Sequence, residues 1–455
     1  MRILVANRGE IALRIIRTIK SMGHEAIAVY SIADQESLHV KSANFSVCLG
    51  EGPVNKSYLH QANILSACTS LGVDFIHPGF GFLSENSEFV KLCEELNIGF
   101  IGPKADTIDL MGNKINALKA MINSGIPTVS DINNPITSHE ILFSQAEHLG
   151  FPIIIKSSNG GGGKGIRIVK TKDTLKESFD TVYQEACLIS SDPDIYMEKF
   201  LTDAKHIEVQ ILADKHGNVI HLGTRDCSMQ RNNQKIIEEA PALINKIVLE
   251  EMETVCVKAS KDIGYIGAGT FEFLYKDNKF YFLEMNTRIQ VEHTITEAIT
   301  GIDIVEQQIR IASGERLSLE QKDIKFTGHA IEFRINAENP LYNFSPSPGH
   351  IKKLYLPGGP NVRNDFGVLQ GMEIPPFYDS MIGKIILHKK SRDQVIEFSK
   401  IILEEFYIEG VDSTVEFQKK LIREKEFKNN TYATTFIEQN SDRIIQRMKK
   451  NVDDK

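Results

Sequence analysis

Over roughly the first hundred residues, short apolar runs alternate with stretches whose apolar positions recur at helical spacing. Ile3–Ala6 reads as a strand. Glu10–Ser21 reads as a helix, because Ile11, Ile15, Ile16 and Ile19 fall on one face, and Gly23 sits where it would end. Glu25–Tyr30, Val73–Ile76 and Gly99–Ile101 read as further strands. Strand-helix-strand repetition predicts a parallel sheet covered by helices. No GxGxxG follows the first strand, so a dinucleotide site has little support there. The glycine turn His77–Asn86 follows a strand and leads towards a helix. That puts it at the carboxyl edge of the sheet, where ligands bind.

A second block runs from about Lys114 to Ala312. Its opening helix is ended by Ser124-Gly125-Ile126-Pro127. Two apolar strands then flank a glycine loop, followed by a helix near Thr174–Ser190, a strand at Ile195–Glu198 and a hairpin over Thr270–Asn286. Around Gly314–Gly328 the pattern lapses into polar residues, a candidate boundary. Beyond it, the alternating segments Ala330–Asn336 and Met381–His388 are separated by turns such as Ser345-Pro346-Ser347-Pro348-Gly349, which predicts a third, α+β unit. The tail Asn451–Lys455 is charged and expected to fray.

Composition fits this division. A chain of 455 residues exceeds one ordinary core. Hydrophobic content of 42% and charged content of 25% are those of a soluble globular protein. The net charge of -8, with no basic block, gives no reason to expect nucleic acid. No apolar run reaches the roughly 20 residues that span a bilayer, so no membrane partner is expected. The chain enters its first strand at once, leaving no room for a signal peptide. The six cysteines are scattered without a CxxC pair and read as free thiols in a reducing cytoplasm.

The candidate chemistry concentrates in Glu284-Met285-Asn286-Thr287-Arg288-Ile289-Gln290-Val291-Glu292-His293. Read as an extended segment, it puts Glu284, Asn286, Arg288, Gln290 and Glu292 on one face, which suits ions and substrate better than a core. In the hairpin before it, a turn centred near Asn278 sets Glu272 opposite Glu284. Facing acids repel unless a cation lies between them. Two carboxylates and the Asn286 amide suit magnesium, with manganese a further possibility. The alternative is a pair of solvated acids, and Asn286 and Arg288 on the same face favour the metal. The loop Ser157–Gly165 packs glycines between β-rich runs, fits a flap over phosphates, and has Lys156 ending the strand before it. It is not a Walker loop, because Gly163-Lys164 is followed by Gly165. Arg225–Glu239 is dense in polar groups and on composition reads as a solvated loop. His206 alternates with apolar residues, a pattern that is usually structural.

Together these segments resemble biotin carboxylase, the ATP-grasp component of biotin-dependent carboxylases. The resemblance runs from Ala6-Asn7-Arg8-Gly9-Glu10-Ile11-Ala12 through the flap and Arg288–His293 to Tyr378-Asp379-Ser380-Met381-Ile382-Gly383-Lys384. It implies a multidomain α/β and α+β protein with an ATP-grasp fold. Residues 1–113 would form a Rossmann-like N-terminal domain, 114–318 the ATP-grasp domain with a mobile lid over about 130–200, and 329–447 the C-terminal α+β domain. It also implies ATP bound by Lys114, Lys156, Gly162, Gly163, Glu198, Lys199, Leu201, His206, Gln230 and Asn233, and magnesium bound by Glu272, Glu284 and Asn286. Bicarbonate would be held by Lys235, Arg288, Gln290 and Val291, with Glu292 as its base. Arg334 would steady the biotin enolate, and Phe80 and Gly81 would lie on the biotin side.

The resemblance further implies acetyl-CoA carboxylase, a biotin carboxyl carrier protein and carboxyltransferase as partners, and a homodimer. Pyruvate or another acyl-CoA is the alternative acceptor. No biotin-acceptor Met-Lys-Met segment occurs in the chain, so the carrier is expected to be separate. Three residues depart from the family pattern: Asn233 where histidine is usual, Phe80 where tyrosine is usual, and Thr294 where proline is usual. None removes a presumed catalytic group. Asn233 and Phe80 leave open a non-catalytic nucleotide-binding homologue.

Overall fold

The computed structural model describes residues 1–129, 136, 138–157, 165–188 and 195–453. Strands β1 (Arg2–Val5), β2 (Glu25–Ser31), β3 (Phe45–Gly50), β4 (Phe75–His77) and β5 (Gly99–Phe100) form a parallel sheet in the order β3-β2-β1-β4-β5. Helix α1 (Gly9–Ser21) follows β1 and buries the predicted isoleucine stripe. The strand order reverses between β1 and β4, and the loops after both strands meet there. Asn7 Nδ2 donates to the carbonyls of Pro78 and Phe80 at 2.7 Å each, tying the glycine turn to the first loop. Gly79 and Gly81 have φ of 64° and 68°, a conformation glycine adopts without strain. The turn leads into helix α2 (Ser87–Glu95), as predicted.

Helix α3 (Lys114–Asn123) opens the next part, capped by the Asn113 side chain. A small antiparallel sheet, β7-β6-β8, is built from β6 (Ile153–Ser157), β7 (Ile166–Val169) and β8 (Ile195–Lys199). The predicted helix between them spans Leu175–Cys187. The central element is an eight-stranded antiparallel sheet. It comprises β9 (Lys205–Ala213), β10 (Val219–Arg231), β11 (Gln234–Ala240), β12 (Gly267–Lys276), β13 (Lys279–Asn286), β14 (His329–Asn336), β15 (Val362–Phe366) and β16 (Met381–Lys389), in the order β13-β12-β9-β10-β11-β14-β16-β15. The segments beyond Gly328 therefore extend the same sheet.

Two tight turns fix the register. Asp277 and Asn278 have φ of 51° and 56°, and Asn232 and Asn233 have 49° and 61°. Paired left-handed residues are the two-residue turn that suits the twist of a hairpin, and asparagine and aspartate tolerate them. Arg225–Glu239 is consequently a hairpin and not the solvated loop its composition suggested; most of its side chains are buried. An apolar cluster including Ile3, Ile15, Leu212, Ala268, Ile289 and Ile304 packs the N-terminal sheet and α1 against this central sheet. Among the described residues no helix is long and apolar enough to cross a membrane.

Candidate active site

Lys235 on β11 is the centre of a buried charge cluster. Its Nζ donates to Glu292 at 2.6 Å, to Glu272 at 3.0 Å and to Glu208. Arg334 on β14 donates to Glu292 at 2.9 Å and to Glu238 at 2.5 Å. Glu292 is thus clamped between a lysine and an arginine. Beneath them the fully buried Arg225 donates to Glu208 and to Gln210, each at 2.8 Å. Gln290 Nε2 and Asn286 Nδ2 reach Glu272 at 2.8 Å and 2.9 Å.

The hairpin has the predicted register, with Glu272 opposite Glu284. The extended run does not continue to His293. β13 stops at Asn286, and helix α5 (His293–Thr300) begins directly after Glu292. The chain leaves the sheet because Glu85, at the end of the glycine turn, accepts the Thr287 N–H at 3.0 Å and Arg288 Nε at 2.8 Å. Arg288, Gln290 and Glu292 reach the cluster from this irregular segment, not from alternate positions of a strand.

Burial and charge act against each other here. Burial would raise the Glu292 pKa, but Lys235, Arg334 and Arg225 hold it well below the usual carboxylate range. Glu272 is likewise held low against burial, by Lys235 and His206. Burial alone would lower Lys235, yet its three carboxylates push it well above the usual lysine value. Glu238 rises to about 8, chiefly through burial and despite Arg334. Glu284 is raised by burial and then by Glu272 facing it. A raised, repelled acid opposite a second acid fits a divalent cation with oxygen ligands. Asn286 is the less ready ligand, because its Oδ1 accepts from Arg288 at 2.8 Å.

The remaining predicted residues divide. His206 lies 3.0 Å from Glu272, and Gln230 pairs in register with Lys235. Lys114 starts α3, and its charge lowers the Glu284 pKa. Phe80 is half-buried beside Gly81, and their turn meets the site through Glu85. The structure binds Lys156 to Glu198 on the small sheet, while Lys199 donates to the carbonyls of Gly150 and Phe151 at 2.7 Å and 3.0 Å. Leu201 is half-buried just after β8, and Asn233 is exposed in its turn. Gly162 and Gly163 lie outside the described residues. Sequence reasoning missed Glu85, Glu208, Arg225 and Glu238. Only Glu208 left a signal, an acid in the alternating run Lys205–Gln210.

Residues 1–108 match the family described as biotin carboxylase, N-terminal domain, and residues 332–439 match the biotin carboxylase C-terminal domain. Residues 113–320 match the ATP binding domain of the carbamoyl-phosphate synthase L chain. Biotin carboxylase 1 of Bacillus subtilis is 48% identical over 96% of this chain and 98% of its own. The chain belongs to the biotin carboxylases. It is an ATP-dependent carboxylating ligase, the biotin carboxylase subunit of a biotin-dependent carboxylase, with N-terminal, ATP-grasp and C-terminal parts. A biotin carboxylase from Campylobacter jejuni, solved as a β,γ-ATP complex, superposes with a TM-score of 0.91 at 44% identity, covering 96% of this chain and 98% of that one. The biotin carboxylase domain dimer of Hydrogenobacter thermophilus 2-oxoglutarate carboxylase, solved with MgADP, ADP and bicarbonate, gives 0.91 at 42% identity over 98% of each chain.

Proposed function

We propose that this biotin carboxylase uses ATP and bicarbonate to carboxylate N1 of biotin on a carrier protein, as the first half-reaction of a cytoplasmic acetyl-CoA carboxylase that starts fatty acid synthesis. The clamp of Lys235 and Arg334 on Glu292 carries the reading. It supplies an ionised acid beside cations able to hold an anion. Bicarbonate binds to Lys235, Arg288, Gln290 and the Val291 backbone. As it draws Lys235 away, Glu292 loses a stabilising charge and becomes the stronger base that takes the bicarbonate proton. The freed oxygen attacks the γ-phosphorus, ADP leaves, and carboxyphosphate breaks down to carbon dioxide and phosphate. Biotin N1 captures the carbon dioxide while Arg334, whose charge is permanent and fixed in advance, steadies the enolate oxygen.

Lys114 and Lys156 serve the phosphates, and Glu198 to Leu201 with His206 serve adenine and ribose. Magnesium held by Glu272 and Glu284, with Asn286, neutralises phosphate charge when bound. A carboxyltransferase uses the carboxylated carrier, and the enzyme works as a homodimer. The 2-oxoglutarate carboxylase relative favours keeping a second acceptor open, pyruvate or another acyl-CoA. The test is steady-state ATP cleavage with bicarbonate and free biotin omitted in turn. Turnover should need both, and bicarbonate-independent turnover would defeat the proposal.

A further inference from the structure

Lys384 on β16 is fully buried, and a buried ammonium needs partners. Its Nζ donates to the Val291 carbonyl at 2.5 Å and lies 3.5 Å from Glu10 Oε1. Glu10 belongs to the first turn of α1, so one ammonium joins the N-terminal sheet, the C-terminal strands and the segment before α5. Lys384 is also the cross-strand partner of Arg334. Like charges at opposed positions are unfavourable by themselves. Here they grip consecutive residues, Lys384 the main chain of Val291 and Arg334 the side chain of Glu292.

The peptide between those two residues is planar, so holding the Val291 oxygen also sets the direction of the Glu292 N–H. Neighbouring contacts fix the rest of the segment. The Gln290 carbonyl lies 2.7 Å from His293 Nδ1, and Glu85 holds the Thr287 N–H. We propose that Lys384 is a positioning residue: held between the Val291 carbonyl and Glu10, it fixes the peptide that carries Glu292 and with it the bicarbonate geometry.

Glu10 tunes this grip. Lys384 on β16, Asp365 and Arg363 on β15 and Glu332 on β14 all act on it, while its own helix carries Arg14 one turn on. Neither Glu10 carboxyl oxygen has a hydrogen-bond partner. Burial raises its pKa to about 7, so it is neutral below that pH and competes with Val291 for the ammonium above it.

The inference rests on the proposed bicarbonate site, and the test separates the two. ATP cleavage is measured against bicarbonate concentration at saturating ATP and free biotin. For Lys384→Met the bicarbonate KM should rise about tenfold or more, with the ATP KM within about twofold. A folded variant with unchanged bicarbonate KM, or one that loses only kcat, overturns the inference. Should Lys384→Met fail to fold, Glu10→Gln decides. The wild-type bicarbonate KM, counted as the ion, should rise between about pH 6 and pH 8, and that of Glu10→Gln should stay flat. Identical profiles overturn the inference. Wild-type cleavage that ignores bicarbonate defeats both it and the proposed function, whereas a bicarbonate-dependent wild type confines any failure to Lys384.

Discussion

Glu238 and Glu239 are neighbours on β11, point to opposite faces of the sheet, and meet opposite treatment. Glu239 accepts from Arg392 Nε and Nη2 at 2.6 and 2.8 Å and from the Tyr432 hydroxyl at 2.6 Å, and His329 Nε2 lies 2.9 Å away. Burial would raise its pKa, but His329 and Arg392 drive it far below the carboxylate range. Glu238 shares Arg334 with Glu292, and its Oε2 has no partner. One face of the sheet closes its charges into a finished knot that ties β11 to β14, the helix Arg392–Glu405 and the C-terminal segment. The other spreads a few cations over several acids. A fully paired cluster holds a fold together. A cluster with too few cations is one that a substrate anion and a metal ion can rearrange.

The sharpest way to break this contrast is to disable one acid on the open face. Glu292→Gln should lower kcat by roughly 10²–10⁴-fold, with nucleotide-analogue binding and Tm close to wild type, read by kinetics and a melting scan. On the closed face Arg392→Met should do the reverse. It should lower the unfolding free energy by about 3–5 kcal/mol in denaturant titration, because Glu239 is left short of its main partner, with kcat per folded molecule little changed. Equal effects of both variants on activity would erase the distinction.

The pH dependence sharpens it further. Glu10 has its folded pKa raised to about 7, so its contribution to stability is complete below the unfolded value near 4.5 and is lost as pH rises through 7. The loss is at most about 3 kcal/mol, and Glu10→Gln should flatten that part of the melting profile. Glu239 has the opposite sign: its stabilisation is present above the unfolded pKa and lost as pH falls below it. Glu284→Gln should raise the half-saturating magnesium concentration by roughly tenfold in the cleavage assay. Asn233→His should shift the ATP KM by no more than about threefold, since histidine also tolerates a left-handed turn.

How much of this was legible depended on where each partner lies in the chain. Local patterns read well: the isoleucine stripe of α1, the Asp277-Asn278 turn, and Glu272 opposite Glu284 are all set by residues close in sequence. The end of β13 was not legible, because the residue that draws Thr287 out of the sheet is Glu85, about two hundred positions away. Arg225–Glu239 read as solvated because its polar side chains have distant partners. Arg225 is satisfied by Glu208, Gln210, Thr270 and Thr296, and only the assembled sheet brings these together. Lys384 lies in a segment that carried the family resemblance, yet nothing in its neighbours foretold a bond to the Val291 carbonyl.

The central claim is that the open face turns bicarbonate into the nucleophile that takes the γ-phosphoryl group. The direct measurement is cleavage of ATP in ¹⁸O-labelled bicarbonate with free biotin, followed by mass analysis of the phosphate. Attack by bicarbonate and breakdown of carboxyphosphate leave one labelled oxygen on each phosphate released. Unlabelled phosphate formed at the full rate would mean that water is the nucleophile, and would contradict the account.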